Sequence, residues 1–234
     1  IARARDLNFV IKKPEVAMTT GHLPEPQNPY KGLGAFQAAD AQNFFGRENL
    51  TQKLLKRLQE NVDYQRFLTV VGPSGSGKSS VVKAGLIPAL WRGDMPGSDN
   101  WYIVDILPGT HPIDELEVAL FQITTDKTIN IREQLERDKR GLLRVANLVL
   151  PDDKSELLIV IDQFEEVFTL VNDESERTHF LQLIREAVTE KRSRIRVIAT
   201  LRADYYDRPL QYSEIGDLIR DRVDTVLPLS AEEL

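Results

Sequence analysis

At 234 residues, with 41% hydrophobic and 28% charged side chains, the chain is long enough for one large domain with an appendage, and too evenly mixed for a disordered polyelectrolyte or a collagen-like fibre. Thirty Lys and Arg against 36 Asp and Glu give a formal net charge of −6, so no global positive field gathers phosphate backbones and nucleic acid is not the expected partner. The absence of cysteine excludes a disulfide framework, a thiol nucleophile and a Cys-ligated metal, and fits a reducing, cytoplasmic setting.

In chain order, residues 1–13 (IARARDLNFVIKK) are too charged, and too short in their apolar part, for a signal peptide. Residues 14–29 hold Pro14, Pro24, Pro26 and Pro29 and have no apolar period, which predicts a linker. Residues 1–13 are then the expected tail of a preceding domain, and the folded unit is expected over 30–234. The chain starts at Ile1 without Met and stops at Leu234, just after the capping-box pattern Ser230-Ala-Glu-Glu233, so it is expected to be an excised piece. Apolar runs such as Leu157 to Ile161 fall far short of the roughly 20 residues of a membrane helix.

Beyond the linker, short continuous apolar runs alternate with segments of helical period. That is the pattern of strands buried on both faces of a parallel sheet, with helices as crossovers. Strands are predicted at 67–71, 101–107, 157–162, 195–201 and 223–227. Leu50, Leu54, Leu55 and Leu58 share one helical face, as do Ile113, Leu116, Leu120 and Ile123. Phe180, Leu183, Ile184, Ala187 and Val188 mark another helix, behind an acidic first turn at 173–176 that suits the helix dipole. Five strands with helical crossovers predict an α/β fold of three layers around a parallel five-stranded sheet.

The first strand runs straight into Gly72-Pro-Ser-Gly-Ser-Gly-Lys-Ser-Ser80, an unbroken G-x-x-x-x-G-K-[ST] between a strand and a helix. Gly72, Gly75 and Gly77 let backbone N–H groups turn inward as an anion nest, across Pro73, Ser74 and Ser76, and the helix N-terminus adds its dipole. Lys78 reaches the β and γ phosphates of a nucleotide, and Ser79 offers its hydroxyl to Mg²⁺. Asp162 ends the third strand on the same sheet edge, as the expected Mg²⁺ partner. Behind it come Gln163, Glu165 and Glu166. A group near the γ-phosphate must orient or deprotonate the attacking water, with Glu165 the first choice and Glu166 the second, while an acidic first turn of a helix over 165–170 accounts for one of them. Arg202 leaves the fourth strand on that edge and either reads the γ-phosphate with its forked guanidinium or pairs with Asp204 at the surface. In Phe44-Phe-Gly-Arg-Glu48 the aromatic pair either closes over a flat base while the Gly46 backbone reads its edge, or packs into the core. Lys191-Arg-Ser-Arg-Ile-Arg196 is a solvated helix end leading into a strand, or a local basic patch.

Five landmarks then carry a resemblance: Asn28-Pro-Tyr-Lys-Gly-Leu33 with Phe44-Phe-Gly-Arg-Glu48; Val71 through the loop to Leu86; Trp101 to Pro108-Gly109 with Pro112; Asp162-Gln-Phe-Glu-Glu166; and Thr200-Leu-Arg-Ala-Asp-Tyr-Tyr206. In that order the sequence resembles the STAND class of P-loop NTPases, in its bacterial novel STAND, NACHT-like form often fused to WD repeats. The resemblance covers about residues 28 to 234. It implies sheet order 5-1-4-3-2, a Walker A motif from Gly72 to Ser79 with Ser80 behind it, and Asp162 as the Walker B Asp. It also implies Glu165 and Glu166 as the acidic pair, Arg202 as a sensor, and Phe45, Gly46 and Arg47 as an adenine-side hairpin. The implied cofactors are ATP or ADP with Mg²⁺. The implied activity is a slow ATPase acting as a signalling switch, in bacterial defence, with flanking effector and repeat domains and a nucleotide-dependent homo-oligomer as partners. The helical and winged-helix region that follows the fifth strand in the family is expected to be missing. A nucleotide-bound scaffold is the alternative reading, and a DNA-acting loader is disfavoured by the acidic balance. ATP is expected over GTP, because no Asn/Thr-Lys-x-Asp motif follows the fourth strand.

Overall fold

The computed structural model describes residues 34–152 and 154–228; the expected tail and linker, the 28–33 entry segment and the terminal capping-box pattern lie outside them. In chain order the regular elements are α1 (Glu48–Gln59), β1 (Phe67–Gly72), α2 (Lys78–Ser80), α3 (Ile87–Trp91), β2 (Tyr102–Ile106), α4 (Pro112–Ile123), α5 (Ile131–Arg137), α6 (Gly141–Val149), β3 (Leu157–Ile161), α7 (Glu166–Thr169), α8 (Glu174–Thr189), β4 (Ile195–Arg202), α9 (Gly216–Asp221) and β5 (Val223–Thr225), with short 3-10 turns between them. A π-helical stretch, Val81–Leu86, joins α2 to α3. Pro88, the second residue of α3, has no N–H to give the preceding turn, and the wider i→i+5 pitch ahead of it lets the helix run on.

The sheet is parallel throughout, in the order β2-β3-β4-β1-β5, which is the expected 5-1-4-3-2 read from the other edge. Every residue of β1 and β3 is buried, so neither strand alternates polar with apolar. The period of two reappears in which core each side chain enters. Leu157, Ile159 and Ile161 pack with α4, α5, α6, α8 and α9 on one face, while Leu158 and Val160 pack with α1 and the helix behind β1 on the other. Each Leu or Ile so buried contributes about 1.5–3 kcal/mol relative to exposure.

Strand and helix starts follow their local chemistry. The Asp173 side chain accepts from Ser175 N to open α8, and Asn130 does the same from Glu133 N for α5. The fifth strand is shorter than the predicted 223–227: β5 is an edge strand, and past Thr225 only Val226 N still reaches Val71 O. The apolar period predicts one helix between β2 and β3, where three stand. α5 (IREQLER) presents only Ile131 and Leu135 to the core, too few to show a period. α6 starts hard against it at Gly141, where a Cβ would sit 2.4 Å from Gln134 O.

Candidate functional site

All five strands end on one edge, and register fixes who meets whom there. Gly72 of β1 lies beside Arg202 of β4, and Ile161 of β3 beside Ile106 of β2. The 73–77 loop leaves that edge and turns into α2. Gly75 and Gly77 hold φ of +75° and +88°, and an added Cβ at either would meet nothing within 4 Å, so their peptide groups border open space. The opposite applies at Gly72, where a Cβ would sit 2.2 Å from Val226 O. Lys78 is buried, yet among the described residues its ammonium has only carbonyls to serve, donating to Gly72 O at 2.9 Å and Pro73 O at 2.8 Å. Burial holds its pKa below the usual lysine value, with Glu165 pulling partly the other way. The buried Ser76 hydroxyl has no hydrogen-bond partner among the described residues. A buried cation with no carboxylate contact among the described residues, under a loop with two left-handed glycines, fits a polyphosphate.

Asp162 follows β3 directly. Its Oδ1 accepts from the Ser79 and Thr200 hydroxyls, both at 2.6 Å, and its Oδ2 faces the Lys83 ammonium at 2.8 Å. Lys83 also meets Asp105 Oδ2 at 2.8 Å. Burial would raise the Asp162 pKa, but Lys83 and the two hydroxyls outweigh it and hold the carboxyl below its ordinary value. For Lys83, burial is likewise outweighed by Asp162 and Asp105, which raise its pKa. Asp105 has less help: burial pushes it up to about 6, with Lys83 offsetting only part of that. The Ser79–Asp162 pair offers the hydroxyl and carboxylate oxygens that suit a hard cation such as Mg²⁺. Thr200, Lys83 and Asp105 were not among the site residues expected from sequence. The signal was there for two of them: Lys83 is one helical turn beyond Ser79, and Asp105 is a charge inside an apolar strand.

The Asp162 turn is tight. Gln163 takes φ of +56°, rare for a residue with a Cβ, while its N–H donates to Thr200 Oγ1 and its side chain lies exposed on the cavity wall. The two glutamates then part company. Glu165 is buried and its Oε2 accepts from Arg202 N at 3.2 Å, whereas Glu166 Oε2 accepts from Gly109 N at 2.9 Å in the loop between β2 and α4. Burial raises the Glu165 pKa above the ordinary carboxylate value. The Arg202 guanidinium donates to both Asp204 oxygens, at 3.1 and 2.6 Å, and lies 5.2 Å from the Tyr205 ring.

The entry segment closes the other side. The aromatic pair splits: Phe44 turns in against Phe36, with ring centroids 5.7 Å apart, while Phe45 is 73% exposed. The Gly46 N–H, expected to read a base edge, is 3.3 Å from Glu48 Oε1 as its acceptor. Arg47 is buried and donates to Ser76 O at 3.3 Å and Leu227 O at 2.7 Å, tying the phosphate loop to the chain after β5. Ser80 Oγ accepts from Phe36 N. Between these walls lies a cavity of about 710 Å³, lined by Gly75 to Ser80, Asp162 and Gln163 on one side and by Phe36, Phe45 and Pro228 on the other. The basic run at 191–196 lies at the opposite end of the sheet, between α8 and β4; Arg194 donates to Asn147 Oδ1 and Arg196 pairs with Glu156.

A family model described as Novel STAND NTPase 1 matches residues 29–234. No curated protein matches the sequence. Among solved structures, a closed-state Hsp104 with ATPγS and FITC-casein aligns at TM-score 0.50 and 12% identity over 80% of this chain and 28% of that one. The S. cerevisiae Hsp104–ADP complex aligns at 0.50 and 13% over 81% and 23%, and the S. cerevisiae Hsp104–casein complex in its extended conformation at 0.50 and 14% over 82% and 29%. At such identities the likeness is one of fold. The chain spans about a quarter of the length of those structures.

Proposed function

The chain belongs to the novel STAND NTPases, and from that premise we propose that it is an ATP- and ADP-binding switch that hydrolyses ATP slowly with Mg²⁺. The observation that carries this reading is Lys78: a buried ammonium whose hydrogen-bond acceptors are two carbonyls of the phosphate loop, at the mouth of a cavity of about 710 Å³. The loop from Gly72 to Ser80 holds the phosphates, and Lys78 exchanges its carbonyl contacts for phosphate oxygens. Ser79 and Asp162 hold Mg²⁺, which when bound neutralises phosphate charge and orients the terminal group. Glu165 takes the proton of the attacking water, a task that its raised pKa suits. Arg202 leaves Asp204 for the γ-phosphate, so that ATP and ADP favour different arrangements of the β4 edge. The base lies between Phe45 and Pro228. Taken from 1:99 to 99:1, such a switch needs about 10⁴-fold preference, or about 5.5 kcal/mol. Flanking domains of the same protein and further copies of it receive the change; residues 14–29 serve as the linker from an upstream domain.

The scaffold reading has one observation in its favour, the ion pair of Arg202 with Asp204 at 2.6 Å, which needs no nucleotide. The phosphate-loop assignment itself is tested by Lys78→Ala, which is expected to weaken ATP·Mg²⁺ binding by about 1.5–3 kcal/mol, the range of a charged hydrogen bond. Calorimetry giving equal affinities for the variant and the parent chain would remove Lys78 from the site.

A further inference from the structure

Lys83 is not needed to cradle phosphate, yet it stands at the centre of the most buried charge cluster beside the cavity. Resting on the nucleotide reading above, we infer that Lys83 is a positioning residue, which with Asp105 as its anchor sets the place and the residual charge of the Asp162 carboxylate for Mg²⁺. The ammonium lies 2.8 Å from Asp162 Oδ2 and 2.8 Å from Asp105 Oδ2, and the three side chains are 7%, 6% and 13% exposed. With Ser79 and Thr200 on Oδ1, Asp162 is held from three elements: the helix behind β1, β4 and, through Lys83, β2. The parity of β2 brings this about, since Asp105 follows Ile103 onto the face that packs against the helix behind β1.

Asp105 makes the arrangement more than a fastening. Its Oδ1 is buried without a hydrogen-bond partner among the described residues, a desolvation cost that an apolar residue at the same place in an edge strand would avoid. What the carboxylate adds is competition for Lys83. One cation shared between two carboxylates leaves the cluster one negative charge in excess, whereas Lys83 paired with Asp162 alone would cancel the charge that attracts a divalent ion. Without Lys83, two buried carboxylates repel each other and Asp162 loses its fixed position. Both changes act on Mg²⁺ and neither touches the phosphate loop.

The test compares ATP affinity in MgCl₂ with that in excess EDTA, by calorimetry on the 234-residue chain, and takes the ratio as the Mg²⁺ gain. Lys83→Met is expected to cut that gain by about 10-fold or more while the affinity in EDTA stays within about 2-fold, the size of effect usual for residues that orient metal ligands. Asp105→Asn is expected to cut it by roughly 3-fold, and the double variant to recover roughly 3-fold of the loss in Lys83→Met, because Asp162 is freed of its like-charged neighbour. Lys83→Arg, which keeps the charge, should retain most of the gain. A fall in both affinities together, or no recovery in the double variant, would assign Lys83 to the core alone and overturn the inference. If Lys83→Met fails to fold, Asp105→Asn decides, and an unchanged gain overturns it. A parent chain that binds ATP in EDTA without a Mg²⁺ gain also overturns it and leaves the phosphate loop standing; one that binds ATP in neither buffer sinks the nucleotide reading itself.

Discussion

Glu165 and Glu166 are neighbours in sequence with different partners in space, because α7 begins between them. Glu165 turns toward the end of β4 and Glu166 toward the loop after β2. On the proposed mechanism Glu165→Gln keeps the shape and the contact with Arg202 N but removes the base, so turnover should fall about 10²-fold or more while ATP binding persists. Glu166→Gln should change turnover little; the reverse result would move the base by one residue. The pH profile adds a check: Glu165 acts when ionised and its pKa is raised, so turnover should decline with falling pH at a higher pH than an ordinary glutamate would give. Arg202 poses the other question at this scale. Its guanidinium is committed to Asp204 across an exposed, solvent-screened pair, which on the proposed mechanism a γ-phosphate displaces. Arg202→Ala should therefore bring the affinities for ATP·Mg²⁺ and ADP·Mg²⁺ together, and a ratio unchanged by the substitution would leave Arg202 as the partner of Asp204 alone.

At the scale of elements, α8 and α9 are joined by a network the strand pattern does not reveal. Arg185 donates to both Asp217 oxygens, at 2.6 and 3.0 Å, and Tyr64 donates to Oδ2 at 3.0 Å. Arg185 chiefly, with Tyr64 and Leu218 N, holds Asp217 down at about 2. A carboxyl depressed on folding adds stability that is present above its unfolded pKa, about 3.9, and is lost as pH falls through the folded value. Asp217→Asn should thus lower the melting temperature at neutral pH, and the gap to the parent should close between about pH 4 and pH 2. A gap of constant size across that range would deny the pair this role. What the sequence discloses about elements follows from the same physics. The fully buried β1 and β3 appear as unbroken apolar runs, and β2, β4 and β5 as shorter apolar stretches broken by Asp105, Arg196 and Asp224, so all five were legible, and so was the long α8 behind its acidic start at 173–176. α5 and α9 were not, because seven and six residues leave too few core positions for a period. That Gly75 to Ser80 and Asp162 would share one cavity wall could be read from the sequence, because one contiguous motif carries the loop and Asp162 ends an apolar strand on the same sheet edge. Lys83, Asp105 and Thr200 come together only through sheet order and strand parity.

For the molecule as a whole, the phosphate loop is wired to the last described segment of the chain. Arg47 joins Ser76 O to Leu227 O, Val226 N donates to Val71 O, and Pro228 lines the cavity. On the proposed reading, a change at the terminal phosphate would reach both β4, through Arg202, and the exit after β5. The central claim is that this domain distinguishes the two nucleotides, and calorimetric titration of the chain with ADP·Mg²⁺ and with a non-hydrolysable ATP analogue with Mg²⁺ tests it most directly. The account predicts affinities that differ by about 10-fold or more, equivalent to about 1.4 kcal/mol. Equal affinities would contradict it and identify the bound nucleotide as a structural part of a scaffold.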